Sequence, residues 1–269
     1  MAPFSSAIEA PHMHACTLSD FSGTILKHSL DELTQSELLL TGGAGNLQSF
    51  YTPFDAVNTE AKVVLAGICP GQVQWRNALK SAQEGLKQGL PADAVLRQAK
   101  TAGAFSGPIR TNLVKILDHI GLQHKLGIPS AQALFDEQQA LVHMTSVLRQ
   151  CILLKGKNYA GSSPSMLKNE FLKQHIEAYF LPETAQLANA VYIPFGQSVT
   201  EVLYFLSGLG YLRPEQILDG FPHPSGVNAE RIKYFLGEKD ASALSAATNP
   251  ALIDQAKLQL SAKIKALHF

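Results

Sequence analysis

The feature that most constrains the fold is a buried strand at residues 61–68. Its sequence, AKVVLAGI, is a short apolar run rich in β-branched residues, and Pro70-Gly71 closes it in a turn. Similar runs follow at residues 141–148 and 190–195, and a shorter one surrounds Ile217-Leu218. Helical periodicity fills the stretches between them. This alternation predicts an α/β fold with a parallel sheet covered by helices on both faces.

The length and composition favour one large domain with an appendage. The chain has 269 residues, of which 46% are hydrophobic and 16% charged, so it can bury a sizeable core. We predict an N-terminal helical extension at residues 1–59, packed on a core domain at residues 60–269. Within the extension we expect a helix from Ser19 to Leu38 and a flexible glycine-rich loop at residues 42–46.

Charge and cysteine content limit the classes of partner and compartment. Lys and Arg number 22, as do Asp and Glu, so no overall positive field favours nucleic acid, although a local basic patch remains possible. The widely spaced Cys16, Cys69 and Cys151 indicate neither a disulfide framework nor a metal site, and a reducing, cytoplasmic location is expected. The sequence predicts no signal peptide and no membrane span. Residues 12–16, HMHAC, lack a fourth ligand, so we expect no metal.

Residues suited to catalysis or binding lie in the loops after the strands. Ligands of parallel sheets bind outside the carboxyl ends of the strands. Four loops are expected to meet there, beginning at Cys69, Ser146, Gly196 and Phe221. In residues 221–228, FPHPSGVN, two prolines hold His223 in a stiff frame. Rigid placement suits a group that stabilises charge in a transition state, and a turn histidine bonded to the backbone is the alternative.

Two of these loops, in this order, resemble the motifs of the uracil-DNA glycosylase superfamily. That family has a first loop of the form Gly-x-(Asp/Asn/other)-Pro-(Gly/Tyr) and a later loop that begins His-Pro-Ser. The chain has Gly67-Ile68-Cys69-Pro70-Gly71 and His223-Pro224-Ser225. The resemblance extends over roughly residues 60–236. It implies a three-layer α/β/α sandwich with a four-stranded parallel sheet in the order 2-1-3-4.

The resemblance implies that the protein is a DNA N-glycosylase for base excision repair. Such enzymes flip a deaminated, uracil-type base out of the DNA and hydrolyse its N-glycosidic bond. His223 would stabilise the charge that develops on the base. Cys69 occupies the position that activates water, and Asn228 and Gln72 are the nearest amides that could compensate there. The residues implied for base binding are Gly67, Ile68, Gln72, Phe105 (the stacking platform) and Ser146.

A second set of residues is predicted to contact DNA. The resemblance implies that Val227 is a wedge in the minor groove and that Ser225 contacts a phosphate. Lys155 and Lys157, in a loop with several hydroxyls, are candidates for phosphate contacts, and a solvated loop is the alternative. Arg231 lies on the helix after the wedge and is a further candidate. The expected partner is DNA with a damaged base, bound by a monomer without cofactor or metal.

Two departures from the family pattern leave alternatives open. Cys69 stands where many members have Asp or Asn, and Ser146 stands where several branches have a base-reading Asn. The alternative function is therefore a non-catalytic or weakly active damaged-base and DNA-binding protein of the same fold. A hydrolase with Cys69 as its nucleophile is a third hypothesis. Cys151 resembles one of the four cysteines of the iron–sulfur branch, but the other three are missing, so we expect no cluster.

Overall fold

Three parallel strands form the central sheet of the protein. The computed structural model describes residues 13–103 and 108–269. The sheet has the order β4-β3-β7, in which Val63 pairs with both Val142 and Val191. Every residue of the middle strand is buried, as expected of a strand with helices on both faces. The three strands are β3 (Val63–Gly67), β4 (Val142–Ser146) and β7 (Val191–Pro194).

The fourth predicted strand does not extend this sheet as a regular ladder. Ile217 forms one isolated parallel bridge with Tyr192. The backbone N–H of Leu218 donates to the carbonyl of Tyr192 at 2.8 Å. Gly220 then turns the chain with a φ of +96°, so the pairing stops after one bridge. The α/β class is thus confirmed, whereas a four-stranded parallel sheet is not shown.

A second, antiparallel sheet was not expected from the sequence. It has the order β1-β2-β5-β6, and β2 pairs with β5 from Leu47 opposite Leu154 to Phe50 opposite Cys151. Residues near position 50 are therefore bonded to a segment about a hundred positions further along the chain. Its strands are β1 (Leu40–Ala44), β2 (Leu47–Phe50), β5 (Cys151–Leu154) and β6 (Lys157–Asn158).

The glycine-rich segment at residues 42–46 is therefore not a flexible loop. It forms the end of β1 and the turn into β2, with Gly45 at a φ of +59°. Glycine fits there because the ring of Phe171 lies 3.3 Å from where a Cβ of Gly42 would be. The preceding helix is also shorter than expected. It is divided at Ser29, whose hydroxyl accepts the backbone N–H of Glu32 and begins a second helix.

Helices pack on both faces of β3. Val64 and Ala66 point into a core that includes Ile176 and Leu203, whereas Val63 and Leu65 point into the opposite core. A π-helical turn, Ile176–Phe180, joins two of the helices. The helices are α1 (Leu18–Lys27), α2 (Leu30–Gln35), α3 (Gln72–Lys87), α4 (Ala92–Gly103), α5 (Pro108–His119), α6 (Leu122–Leu126), α7 (Glu170–His175), α8 (Leu181–Gln186), α9 (Gln197–Gly208), α10 (Ala229–Phe235) and α11 (Pro250–Ala266).

A third core joins the N-terminal elements to α3 and α4. Trp75 is almost fully buried there with Ile25, Phe50 and Val95. Its indole N–H donates to the carbonyl of Tyr51 at 2.8 Å, which ties α3 to the end of β2. Because α3 begins directly after the Pro70-Gly71 turn, this packing fixes the position of the first motif loop. The division of the chain at residue 60 stays a prediction.

Membrane-spanning helices and metal-binding clusters are both absent from the part of the chain that the structure describes. Within residues 13–103 and 108–269, no helix is both long and apolar enough to cross a membrane. Over the same ranges, no three side chains of His, Cys, Asp or Glu come together as a metal site.

Candidate functional site

A cavity lies at the carboxyl ends of the three parallel strands. Its volume is about 260 Å³, and it brings the two motif loops to the same place. The position agrees with the rule that ligands of parallel sheets bind at this edge. Residues from both motif loops and all three strand ends line it: Phe54, Gly67, Ile68, Cys69, Pro70, Gly71, Gln74, Lys100, Gly103, Ile109, Met144, Thr145, Ser146, Asn158, Tyr159, Phe195 and His223.

The loop of His223 holds the imidazole in one orientation. Nδ1 accepts the backbone N–H of Ser225 at 3.2 Å, so the proton of the neutral ring lies on Nε2. The ring meets that of Phe195 edge-on, with centroids 6.2 Å apart. Asn112 donates to the carbonyl of Pro224 at 2.9 Å and anchors the loop to α5. Burial lowers the pKa of His223, so a neutral imidazole with an Nε2–H donor borders the cavity at pH 7.

The loop of Cys69 presents a protonated thiol. The thiol donates to the carbonyl of Tyr159 at a sulfur–oxygen distance of 3.6 Å. Burial raises the pKa of Cys69 to about 12, so a thiolate does not form near neutral pH. A nucleophilic or metal-binding cysteine needs the thiolate. A buried thiol that donates to a backbone carbonyl therefore weighs against the thiol-dependent hydrolase.

The amides that reach the cavity are not the expected ones. Gln72 is exposed at the start of α3 and does not line the cavity. Gln74 lies about 200° further around the helix and faces inward. Its Oε1 accepts the backbone N–H of Gly71 at 2.9 Å, so its NH2 group takes no part in that bond. Asn158, on β6, accepts the backbone N–H of Gln72 at 3.0 Å and also lines the cavity.

Asn228 acts within its own loop. Its side-chain amide donates to the hydroxyl of Ser225 at 3.1 Å, and its backbone N–H donates to the carbonyl of the same residue. These bonds close the 3₁₀ turn Gly226–Asn228. Neither Asn228 nor Ser225 lines the cavity. The turn instead projects Val227, whose side chain is 93% exposed.

The predicted basic contacts lie at separate places on the surface. Lys155, at a φ of +52°, and Gly156 form the two-residue turn between β5 and β6. Lys157 is exposed on β6, next to Asn158 of the cavity wall. Arg231, on α10, donates to the carbonyl of Ala247 at 3.0 Å. Phe105, the predicted stacking platform, lies outside the described residues.

A buried cluster of charged side chains lies behind the cavity wall. The hydroxyl of Thr145 donates to Oε2 of Glu183 at 2.7 Å, and Nε2 of His143 lies 3.2 Å from the same oxygen. Arg149 lies 3.8 Å from Glu183 and 3.6 Å from Asp55. The guanidinium also stands over the ring of Tyr179, 4.5 Å from its centroid. Arg149 thus bridges two carboxylates at distances longer than those of ordinary ion pairs.

The protonation states within this cluster follow from its contacts. Nδ1 of His143 accepts the backbone N–H of Asn58 at 3.3 Å, so the neutral ring donates from Nε2 to Glu183. Burial is the main cause that lowers the pKa of His143. Burial alone would raise the pKa of Glu183, but the bond with His143 and the charge of Lys100 lower it to about 2. The cluster therefore contains an ionised Glu183 beside a neutral histidine.

The comparisons with known proteins place the chain beside one curated relative. It is 34% identical over 228 residues to "Uncharacterized protein YoxB" of Bacillus subtilis (strain 168), an alignment that covers 82% of this chain and 89% of that protein. The chain belongs to the YoxB family. No family model and no solved structure matches it.

In this YoxB-family protein, several cavity residues were not identified from the sequence. Phe195 had a detectable signal, since it ends a predicted strand directly before a glycine. Gln74 and Lys100 had none, because the inward face of a helix cannot be assigned before its packing is known. Glu183 is brought beneath the cavity by the helical segment of residues 170–186, and no local pattern marks it.

Proposed function

We propose that the protein is a DNA N-glycosylase-like enzyme of the uracil-DNA glycosylase superfamily, which flips a deaminated base into the cavity and hydrolyses its N-glycosidic bond. One observation carries this proposal. The loop of His223 and the loop Gly67–Gly71 face each other across one cavity at the carboxyl ends of parallel strands. The fold resemblance adds support, since the bridge between Ile217 and Tyr192 is where a fourth strand would continue the order 2-1-3-4.

The chemistry assigned to His223 fits its protonation state. When the glycosidic bond breaks, negative charge develops on the leaving base, and a fixed donor at its oxygen stabilises that charge. The Nε2–H of a neutral, rigidly held imidazole is such a donor, and it needs no proton from solvent. The ring of Phe195 packs edge-on against this imidazole.

We assign the positioning of the attacking water to amide side chains of the cavity wall. Cys69 donates its S–H to Tyr159 and cannot orient water as an amide or carboxylate does. Gln74 and Asn158 both line the cavity near that loop, and each presents an NH2 group besides its bonded oxygen. We assign to them the role expected of Asn228 and Gln72.

The second candidate function is a damaged-base and DNA-binding protein without catalysis, and the bonded thiol of Cys69 favours it. A panel of oligonucleotides containing uracil, hypoxanthine, xanthine or an oxidised pyrimidine distinguishes the two. The enzyme releases free base over many turnovers and leaves alkali-labile sites, and His223→Ala abolishes this release while Cys69→Ser does not. Binding of a damaged oligonucleotide without release of any base supports the second function. Cys69→Asn then tests whether the cavity lacks only an amide.

A further inference from the structure

Lys100 introduces a positive charge into the wall of the cavity. It lies on α4, one turn before Gly103, and both residues line the cavity. Its Nζ donates to the carbonyl of Ala56 at 2.6 Å. The side chain also borders a second depression, with Asn58 and His143, on its other side. The amine is therefore fixed between the cavity and the loop that follows β2.

Buried carboxylates keep this amine charged. Burial, together with the positive charge of Arg149, lowers the pKa of Lys100 to about 8, and Glu183 and Asp55 oppose the change by their negative charge. Neither Oε1 of Glu183 nor Oδ1 of Asp55 has a hydrogen-bond partner among the described residues. Arg149 and Lys100 together offset the two carboxylates. Lys100 is thus mainly protonated at pH 7, one pH unit below its pKa.

Lys100 lines the cavity close to the charged cluster behind β4. It interacts electrostatically with Glu183, which is bonded to Thr145, the residue before the end of β4. His223 approaches from the opposite loop, and its Nε2–H is also a donor. The same wall is mainly apolar and includes Phe54, Phe195 and Met144. An ammonium group has three N–H donors, and the bond to Ala56 uses one of them.

We propose that Lys100 is a charged donor that binds an oxo group of the flipped base and, together with His223, stabilises the anionic base as it leaves. The catalytic part of this role rests on the proposed function. The ligand class is a flat heterocycle with carbonyl acceptors at both ends. A ring with exocyclic amino groups at these positions places its N–H donors against the donors of Lys100 and His223, so it is not bound.

Binding of free heterocycles tests this role without DNA. The probes are uracil and 2,4-diaminopyrimidine, which share a ring and differ in oxo against amino groups, measured by calorimetric titration. We expect the wild-type protein to bind uracil in preference. Lys100→Met weakens uracil binding roughly 10- to 100-fold, the range expected for one charge-assisted bond. Lys80→Met, an exposed lysine of α3, is the matched control and changes nothing.

The pH dependence gives a readout that a structural role would not change. Uracil affinity of the wild type falls as pH rises through about 8, where Lys100 loses its proton. Besides Lys100, the ionisable groups in the cavity wall are His223, Cys69 and Tyr159. The charges of Glu183, Asp55 and Arg149 act on Lys100 from behind the wall. His143, Asp93 and Arg97 line the second depression, on its other side. Lys100→Arg keeps its charge, so it retains uracil binding and loses the fall at pH 8. This second variant also keeps the test valid if Lys100→Met fails to fold, which its melting temperature reports.

The outcomes separate this proposal from the proposed function. Uracil binding that depends on Lys100, with no base released from any oligonucleotide, overturns the glycosylase and the catalytic part of the role, and supports only the binding part. Base release that Lys100→Met leaves unchanged overturns the role of Lys100 alone. Equal affinity of the wild type for the two pyrimidines, or no binding of uracil, also overturns it.

Discussion

Thr145 Oγ1 donates a 2.7 Å hydrogen bond to Oε2 of Glu183, which connects the wall of the cavity to an almost fully buried carboxylate. The same oxygen lies 3.2 Å from His143 Nε2. An ionic cluster therefore lies behind the cavity wall at β4. Changes in that cluster should affect both the stability of the fold and the charge at the site.

Glu183→Gln tests this coupling. The change leaves Arg149 and Lys100 opposed by Asp55 alone, and breaking a buried ion pair costs about 3–5 kcal/mol. We expect the free energy of unfolding, measured by urea denaturation at pH 7, to fall by about 3 kcal/mol. Glu137→Gln, at an exposed position, is the control and should change stability little. A Glu183→Gln protein as stable as the wild type would contradict the ionic cluster.

Because His175 is buried, we expect the free energy of unfolding to fall on mild acidification. Its ring is fully buried between Phe171 and Tyr179, and neither nitrogen has a hydrogen-bond partner among the described residues. Burial lowers its pKa from 6.5 to about 4. Between these values the unfolded chain binds a proton that the folded chain does not, so stability falls as pH drops from 6.5 to 4. The contribution is about 3 kcal/mol at 1.36 kcal/mol per pKa unit.

His175→Phe should remove this contribution. The variant should gain stability relative to the wild type as pH falls from 6.5 to 4, as measured by thermal unfolding across that range. His268→Phe, at an exposed position near the end of the chain, provides the control. Parallel stability curves for wild type and His175→Phe over this range would show that the ring is not buried in its neutral form.

Gly161 lies where a side chain would collide with the cavity wall. A Cβ there would lie 2.7 Å from Ser198 Oγ and 2.8 Å from Ile68 Cδ1, and its φ is +88°. We expect Gly161→Ala to lower the free energy of unfolding by about 2–4 kcal/mol, the sum of backbone strain and overpacking. Gly156 has a similar φ of +72° and open space around it, so Gly156→Ala should lose only about 1 kcal/mol. Equal losses in a denaturation experiment would refute the packing contribution.

Val227 should matter for DNA and not for folding. Since its side chain is 93% exposed, Val227→Ser should leave the melting temperature unchanged. If it wedges into duplex DNA, the variant should bind uracil-containing duplex about ten-fold more weakly, as measured by fluorescence anisotropy. Leu258→Ser, another exposed apolar position at 73%, serves as the control on α11. A wild-type affinity for Val227→Ser would remove the wedge from the proposal.

Local sequence patterns predicted the three strands of the parallel sheet. The apolar runs at residues 61–68, 141–148 and 190–195 became β3, β4 and β7, because a buried parallel strand needs an unbroken apolar run. The hairpin at residues 40–50 was missed, since glycine has low strand propensity and the pairing of β2 with β5 is a long-range event. Turn chemistry does not reveal such a partner.

The residues of the candidate site also fall into two groups, those marked by a local sequence pattern and those brought together only by packing. His223 and Cys69 were located because proline and glycine mark their loops, and the structure places both on one cavity. Lys100, Glu183 and Asp55 were not located from the sequence. These charged side chains meet in the core but come from positions that are 45 to 128 residues apart in the chain. Only the packing of α4 and of residues 170–186 on the sheets brings them together.

The pairing of β2 with β5 has a consequence for any shortened form of the protein. A chain that begins at residue 60 lacks β2 and leaves the backbone groups of Cys151–Leu154 without partners along one side. The same segment of another molecule can pair with such an apolar, uncovered edge. We therefore expect a chain without the N-terminal hairpin to aggregate through the strand that leads directly to Asn158 and Tyr159 of the cavity.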